Sequence, residues 1–198
     1  MATLVMKSIL FLIAILLSAT PLEAQTDFYL DGPFKHPAKI PDGLVRLLQD
    51  EIKSACPRET VNQTADVGSL FSASRITINN QLPAFIVKSS HHCLTGVDNN
   101  WFWIFRETAR GYRLVLTSGT ISLSVLQTKT LGLRDIETNV ATAQTNYMTI
   151  YKFNGSIYRP RVCTEAAMSE RNRKAHRVPC RHEISPTPSN KALQLTAR

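Results

Sequence analysis

The sequence lacks an apolar run long enough to cross a bilayer. The longest unbroken run extends from Ile9 to Leu17, whereas a membrane-spanning helix needs about twenty apolar residues. The run follows Lys7 and is succeeded by small and polar residues up to Ala24, which is the order of a cleavable secretory signal. We therefore expect residues 1–24 to be a signal peptide that is cut after Ala24. Cleavage after Ala19 and an uncleaved anchor are the alternatives, and no later segment predicts a membrane span.

The sequence also lacks the familiar catalytic signatures. It has no nucleophile elbow, no zinc-protease helix motif and no phosphate-binding loop, and it predicts no cofactor. An acid pair for glycoside hydrolysis would have to come from the carboxylates Asp98, Glu107, Asp135 and Glu137. We interpret them as surface or turn residues. The sequence favours a non-enzymatic protein and leaves a hydrolase with scattered carboxylates as the alternative.

Cysteine is scarce, since the chain has four residues of this type. An even number in an oxidising compartment favours disulfides, and four cysteines allow three pairings. Our first choice joins Cys56, at the end of a predicted helix, to Cys93, which precedes the first aromatic strand. Closing that loop is worth roughly 3–4 kcal/mol in the chain-entropy model. Cys163 and Cys180 form the second expected pair. The histidines beside Cys93 and Cys180 lack the short paired spacings of zinc ligands, so no metal site is predicted.

Helical periodicity occurs once in the chain. Leu44, Leu48 and Ile52 recur at helical spacing after an N-capping aspartate, which predicts one amphipathic helix over Asp42–Ala55. The preceding residues, 25–41, are rich in proline and predict an extended arm.

Beyond the helix the apolar residues alternate with a period of two. This pattern predicts about seven or eight short strands in an antiparallel meander or a small open sheet or sandwich. The fold class is therefore mainly β with one N-terminal helix, in a single domain over residues 42–163. The period also predicts that Tyr112, Leu114 and Leu116 face the same way. Residues 164–198 lose all periodicity and are basic, which predicts a disordered tail.

One strand carries apolar residues on both faces. Between Trp101 and Phe105, successive side chains point in opposite directions, and all of them are aromatic or aliphatic. Such a strand is covered on both sides. A later Asn154-Gly155 pair predicts a hairpin turn.

Two stretches of the strand region resemble each other. Each consists of a short strand, an aromatic strand, a glycine turn and a tyrosine-bearing strand, the first over 85–112 and the second over 135–158. Together with their surroundings they resemble small secreted bacterial proteins related to degenerate integrin-type FG-GAP and VCBS repeats. The segments that carry the resemblance are Arg75-Ile-Thr-Ile-Asn79, Pro83-Ala-Phe-Ile-Val87, Cys93-Leu-Thr-Gly96, Trp103-Ile-Phe-Arg106, Gly111-Tyr112-Arg-Leu-Val-Leu116, Arg134-Asp-Ile136 and Ile150-Tyr-Lys-Phe-Asn-Gly155.

The resemblance implies no established activity. Repeats of that type often hold calcium in an acidic turn, but the corresponding turn here, residues 77–82, has neither a carboxylate nor a glycine. Calcium needs several hard oxygen ligands, so calcium binding is not expected. Two units are also too few to close a propeller.

The remaining signals concern partners. The net charge of +8 is explained by solubility or by an anionic partner. Aromatic side chains offer a stacking surface as one interpretation and core packing as the favoured one. We expect a secreted or periplasmic module that binds a protein or an anionic cell-envelope polymer, with nucleic acid not favoured and a structural fragment of a repeat assembly as a further alternative. The candidate surface consists of Trp101, Trp103, Tyr112, Tyr151 and Tyr158.

Overall fold

The computed structural model describes residues 26–55, 70–79, 83–90, 100–167 and 176–180. The predicted mainly-β fold is confirmed, because antiparallel strands in two sheets and one helix make up the described part of the chain. Within those residues, no helix has the length and apolarity that a membrane crossing requires. The elements are helix α1 (Asp42–Ala55) and strands β1 (Asp27–Tyr29), β2 (Phe71–Ile76), β3 (Ala84–Ser89), β4 (Asn100–Thr108), β5 (Gly111–Thr120), β6 (Ser122–Thr130), β7 (Leu133–Ala141), β8 (Thr145–Phe153), β9 (Tyr158–Ala167) and β10 (His176–Val178).

The two sheets are consecutive meanders of the same length. Strands β2 to β5 form a four-stranded sheet in chain order. Strands β6 to β9 form the second meander, and β1 and β10 extend it to six strands by pairing with β6 and β9. One apolar cluster draws residues from both sheets, and a second lies between α1 and the four-stranded sheet. The architecture is therefore a helix packed on a sandwich of two sheets.

Strand β4 separates the two apolar clusters. Phe102 and Ile104 belong to the cluster between the sheets, whereas Trp103 and Phe105 belong to the cluster under α1. The prediction that this strand is covered on both faces is confirmed. The predicted helix is also confirmed with its bounds, since α1 spans Asp42–Ala55 and directs its apolar stripe into the second cluster.

A β-bulge interrupts the pairing of β4 with β5. Arg106 pairs with Arg113 near the turn, but Ile104 pairs with Leu116, and the register shifts between these two pairs. Because the extra residue lies on β5, Leu116 enters the cluster between the sheets while Leu114 packs against the cluster under α1. The prediction that Tyr112, Leu114 and Leu116 share one face is therefore wrong, since a strict period of two cannot anticipate a bulge.

The second meander repeats this hairpin at equivalent positions. Lys152 pairs with Arg159 near its turn, Ile150 pairs with Val162, and the register again shifts between them. Each of these four paired residues of β4–β5 has its counterpart in β8–β9 the same number of residues further along the sequence. The two resembling stretches of the sequence thus occupy equivalent strands, one set in each sheet.

The two equivalent meanders, β2–β5 and β6–β9, are called the first and second unit. They are stacked front to back, which means that equivalent faces of the two sheets point in the same direction. Ile104 faces the core between the sheets, whereas its counterpart Ile150 lies on the outer face of the six-stranded sheet, because its neighbour Tyr151 points into the core. Ile104 is paired with Ile86, and Ile150 is paired with Glu137. The second unit therefore carries a carboxylate where the first carries a buried aliphatic side chain, as expected for the last member of a stack.

The predicted arm is docked on both sheets. It contributes β1 to the six-stranded sheet and buries Phe28, Phe34 and Ile40. The Lys88 ammonium on β3 donates three hydrogen bonds to arm carbonyls, at 2.6 Å to Gly32, 2.9 Å to Leu30 and 3.2 Å to Tyr29. Burial lowers the pKa of this ammonium, and the three carbonyls compensate for part of its lost hydration.

The prediction of a disordered tail is wrong at its start. Residues 164–167 complete β9, and β10 pairs antiparallel with β9. Cys163 and Cys180 form a disulfide with their Cα atoms 5.2 Å apart, so the chain that follows β10 is attached to β9. The other expected pair, Cys56 and Cys93, lies outside the described residues.

The polar outer face of the second unit predicts a specific effect of Glu137→Ile. The substitution installs the side chain found at the equivalent position of the first unit and extends the aliphatic row of Ile150 and Val162. Because enlarged exposed apolar patches promote association, sedimentation velocity should show a shift toward larger species with rising protein concentration. Glu137→Gln, which keeps the position polar, should behave like the wild type. Identical sedimentation of both variants at all concentrations would contradict the role of Glu137 in ending the stack.

Candidate functional site

Three β-hairpins and one loop meet at one edge of the sandwich. The Arg113 guanidinium on β5 donates a hydrogen bond to the Ser156 hydroxyl in the β8–β9 turn. The Arg106 guanidinium lies 5.5 Å from the centroid of the Phe153 ring. These contacts join the turns of the two sheets into one surface, which we call the hairpin end. It comprises residues 75–78, 106–113, 128–135 and 152–161.

Two of the turns were predicted from the sequence and are confirmed. Gly111 and Gly155 adopt positive φ angles of 107° and 97°, which a residue with a Cβ rarely accepts. The Asn154 carboxamide oxygen accepts hydrogen bonds from the backbone N–H groups of Ser156 and Ile157, at 3.0 and 2.9 Å. This side chain therefore closes the turn from within.

The β6–β7 turn was missed by the sequence reasoning. Leu131 and Gly132 adopt φ angles of 50° and 80°, and a leucine in the left-handed region is strained. The Leu131 side chain is 70% exposed. A Leu-Gly pair carries little turn signal apart from its glycine, so the sequence alone does not predict this hairpin.

Cations dominate the charge of the hairpin end. Its carboxylates are Glu107 and Asp135, and Asp135 is paired with Lys152 at 3.1 Å. In the described part of the chain, this is the only ion pair that involves a cation of the hairpin end. Most of the guanidinium groups there consequently have no carboxylate partner among the residues that the structure describes. The cations are Arg75, Arg106, Arg110, Arg113, Lys129, Arg134, Lys152, Arg159 and Arg161.

The strand register explains the positions of four of these cations. Arg106 and Arg113 are direct cross-strand neighbours, and so are their counterparts Lys152 and Arg159. Cross-strand neighbours share one face of a sheet. Each unit therefore presents a pair of cations beside its turn, and the exposed member of each pair is an arginine, Arg113 or Arg159.

Asp135 is a buried carboxylate within this basic region. Its side chain is 1% exposed, and Oδ2 accepts hydrogen bonds from the Thr128 hydroxyl at 2.9 Å and the Lys152 ammonium at 3.1 Å. Burial raises the pKa of the Asp135 carboxyl, but the hydroxyls of Thr130 and Thr128 and the Lys152 ammonium outweigh it and hold that pKa below its usual value. The carboxylate is therefore ionised and serves to orient Lys152 and the β6–β7 hairpin.

Tyr158 completes the network below the turns. Its hydroxyl donates a hydrogen bond to the Arg134 carbonyl at 2.7 Å, and its ring packs edge-on against Phe153. Burial raises the pKa of Tyr158 well above its usual value. The hydroxyl is thus a structural donor rather than a proton carrier near neutral pH.

The aromatic side chains named as a possible binding surface lie in or against the two apolar clusters, in agreement with the favoured interpretation of core packing. Trp103 and Tyr151 are each 2% exposed and Tyr158 is 4% exposed, so their faces are covered within the two cores. Trp101 and Tyr112 pack against the cluster under α1. A Cβ at Gly119 would lie 3.2 Å from the Trp101 ring, and one at Gly43 would lie 3.2 Å from the Tyr112 ring. The rings from the four-stranded sheet thus pack under α1, whereas Tyr151 and Tyr158 of the six-stranded sheet pack between the sheets.

The scattered carboxylates occupy different parts of the sandwich. Glu107 lies on β4 in one sheet, Glu137 lies on the outer face of the other, and Asp135 is committed to Lys152. Asp98 lies outside the described residues. Across the described ranges, no three side chains of histidine, cysteine, aspartate or glutamate gather as a metal site would require. The feature with the clearest chemical character is therefore the basic hairpin end.

Comparison of this chain with family models, with curated proteins and with solved structures finds no match. The resemblance to degenerate integrin-type repeats consequently stays a prediction from the sequence.

The Asp135 network predicts a defined pH dependence of stability. Because the folded-state pKa of Asp135 lies below the usual 3.8, its ionised form stabilises the fold above that pH, and the contribution is lost as the pH falls below it. Asp135→Asn should lower the free energy of unfolding by about 1.5–3 kcal/mol near neutral pH, the range for hydrogen bonds to a charged group. Urea denaturation between pH 2 and pH 7 measures this difference.

The control for this experiment is Asp50→Asn, which alters an exposed carboxylate on α1. It should change the free energy of unfolding by less than about 0.5 kcal/mol at any pH. If the gap between wild type and Asp135→Asn stayed constant down to pH 2, ionisation of Asp135 would not be the source of its contribution.

Proposed function

We propose that this protein is an exported, non-enzymatic module that binds an anionic cell-envelope polymer through its hairpin end. The observation that carries the proposal is the concentration, at that end, of arginines that have no carboxylate partner in the described part of the chain. The opposing carboxylates are few, and Asp135 is buried against Lys152.

The composition of the hairpin end favours a ligand with phosphate, sulfate or carboxylate groups. Arginine predominates over lysine there, and a guanidinium presents several donors in a planar fork that matches such anions. Unpaired surface cations give modest energy singly, but a polyanion that displaces its counterions onto several of them gains a large, salt-dependent affinity. The bland explanation of the basic charge as solubility does not account for its concentration at one edge.

The export part of the proposal rests on two observations. The Cys163–Cys180 disulfide is of a kind that persists in oxidising compartments. The expected cut after Ala24 falls before β1, which begins at Asp27, so removal of a signal peptide would leave every described strand intact.

Neutralising the hairpin end should weaken polymer binding. We expect the triple substitution Arg110→Gln, Arg113→Gln and Arg159→Gln to reduce affinity for long-chain inorganic polyphosphate. All three side chains are exposed, so the fold should be retained. The slope of log affinity against log salt should fall by about 2–3, as expected for the loss of three cation contacts. Fluorescence anisotropy with end-labelled polyphosphate at several salt concentrations gives both quantities.

The matched control removes three exposed charges elsewhere. Lys39, Arg46 and Lys53 lie on the arm and on α1, and their replacement by glutamine changes the net charge equally. This control should keep the wild-type salt slope within about 0.5 if binding is local to the hairpin end. Equal losses in the two triple variants would show that binding depends only on net charge and would refute the proposed site.

A further inference from the structure

The cations of the hairpin end recur along the direction in which the two sheets are stacked. Arg106 and Arg113 project from the first unit toward the second, because they contact Phe153 and Ser156 there. Their counterpart Arg159 projects from the second unit toward the outer face, since it is paired with Lys152, two residues beyond the outward-facing Ile150. The two pairs are thus related by the same front-to-back step as the units themselves.

A third cation lies on the opposite face of the first sheet from the Arg106 pair. Arg75 of β2 lies 5.5 Å from the centroid of the Phe85 ring, and Phe85 belongs to the cluster under α1. Arg75 therefore lies on the helix side of the first sheet, and its strand β2 is three strands away from β5, which carries Arg113. Its guanidinium is exposed and has no carboxylate partner among the described residues.

We infer that the hairpin end binds a linear polyanion that runs across the edges of both sheets, perpendicular to the strands. Arg75, Arg113 and Arg159 contact it in that order. This inference rests on the proposed function and adds the shape and orientation of the ligand. Stacked sheets lie about 10 Å apart, so Arg113 and Arg159 are separated by about that distance. Arg75 lies at least about 14 Å from Arg113, because three strand spacings separate β2 from β5. A single small anion reaches one of them, whereas a chain reaches all three.

Once a polymer chain is bound at one cation, its contact with each further cation is intramolecular. Affinity then rises in steps when the chain becomes long enough to reach the next cation, and not in simple proportion to the number of anionic groups. The contact between Arg113 and Ser156 holds the middle cation in place across the two sheets. The middle position is thus ordered before the polymer arrives.

The test measures the dependence of affinity on chain length. Pyrophosphate and linear polyphosphates of graded length compete for labelled long-chain polyphosphate on the full mature chain at low salt. We expect a rise of about 10-fold or more in affinity once the competitor spans about 10 Å, the distance from Arg113 to Arg159, and a second rise once it spans about 25 Å and also reaches Arg75. Arg159→Gln should abolish one of the rises and leave the affinity for pyrophosphate within about 2-fold of wild type. Arg46→Gln on α1 should leave both rises in place.

The outcomes separate the inference from the function on which it rests. If no polyphosphate of any length binds, the proposed function and the inference both fail. If long chains bind at the hairpin end but affinity grows smoothly with length, or if Arg159→Gln weakens every length alike, the proposed function stands and the crossing geometry is refuted. Equal effects of Arg159→Gln and Arg46→Gln would also refute it.

Discussion

The packing of the four-stranded sheet against the six-stranded sheet determines where the charged hairpin residues lie. Each unit has a bulge at the same place in its second hairpin, between Ile104 and Phe105 in the first and between Ile150 and Tyr151 in the second. Because the units stack front to back, the turns of both meanders reach the same edge. Without that arrangement the cations of the two hairpins would not share a surface, and Arg113 would not meet Ser156.

The ends of the stack are closed in two different ways. Helix α1 covers the first unit with an apolar stripe that includes Leu44 and Leu48, which are fully buried. The second unit ends in a partly polar face that includes Glu137. The arm stabilises the junction from the side, since β1 pairs with one sheet while Lys88 of the other sheet holds the arm carbonyls. Stability thus depends on contacts between segments that are far apart in the sequence.

The local periodicities were sufficient to predict the helix, the doubly covered strand β4 and the glycine turns. They failed where long-range pairing overrides composition. The arm and the residues from Thr164 onward look unstructured alone, yet β1 and β10 form because each finds the edge of an existing strand. The bulge on β5 was equally invisible, since an inserted residue leaves no mark on an alternating pattern until its partner strand is known.

The sequence predicts that the protein is basic, but it does not predict that the cations gather at the hairpin end. The net charge of +8 was explained by solubility or by an anionic partner, and the candidate binding surface consisted of aromatic residues such as Trp103 and Tyr158. Those rings are large and apolar, so the two cores bury them. Arg113 and Arg159 carry no motif. Their equivalence is recognisable only from the cross-strand pairing of the two hairpins.

The most direct measurement is a map of backbone amide chemical shifts on titration of the full chain with long-chain polyphosphate. If the hairpin end is the binding surface, the perturbed amides will cluster in residues 106–113 and 152–161, on the turns of both sheets. Perturbations concentrated on α1 or around Glu137 on the outer face, with the two hairpins unchanged, would contradict it.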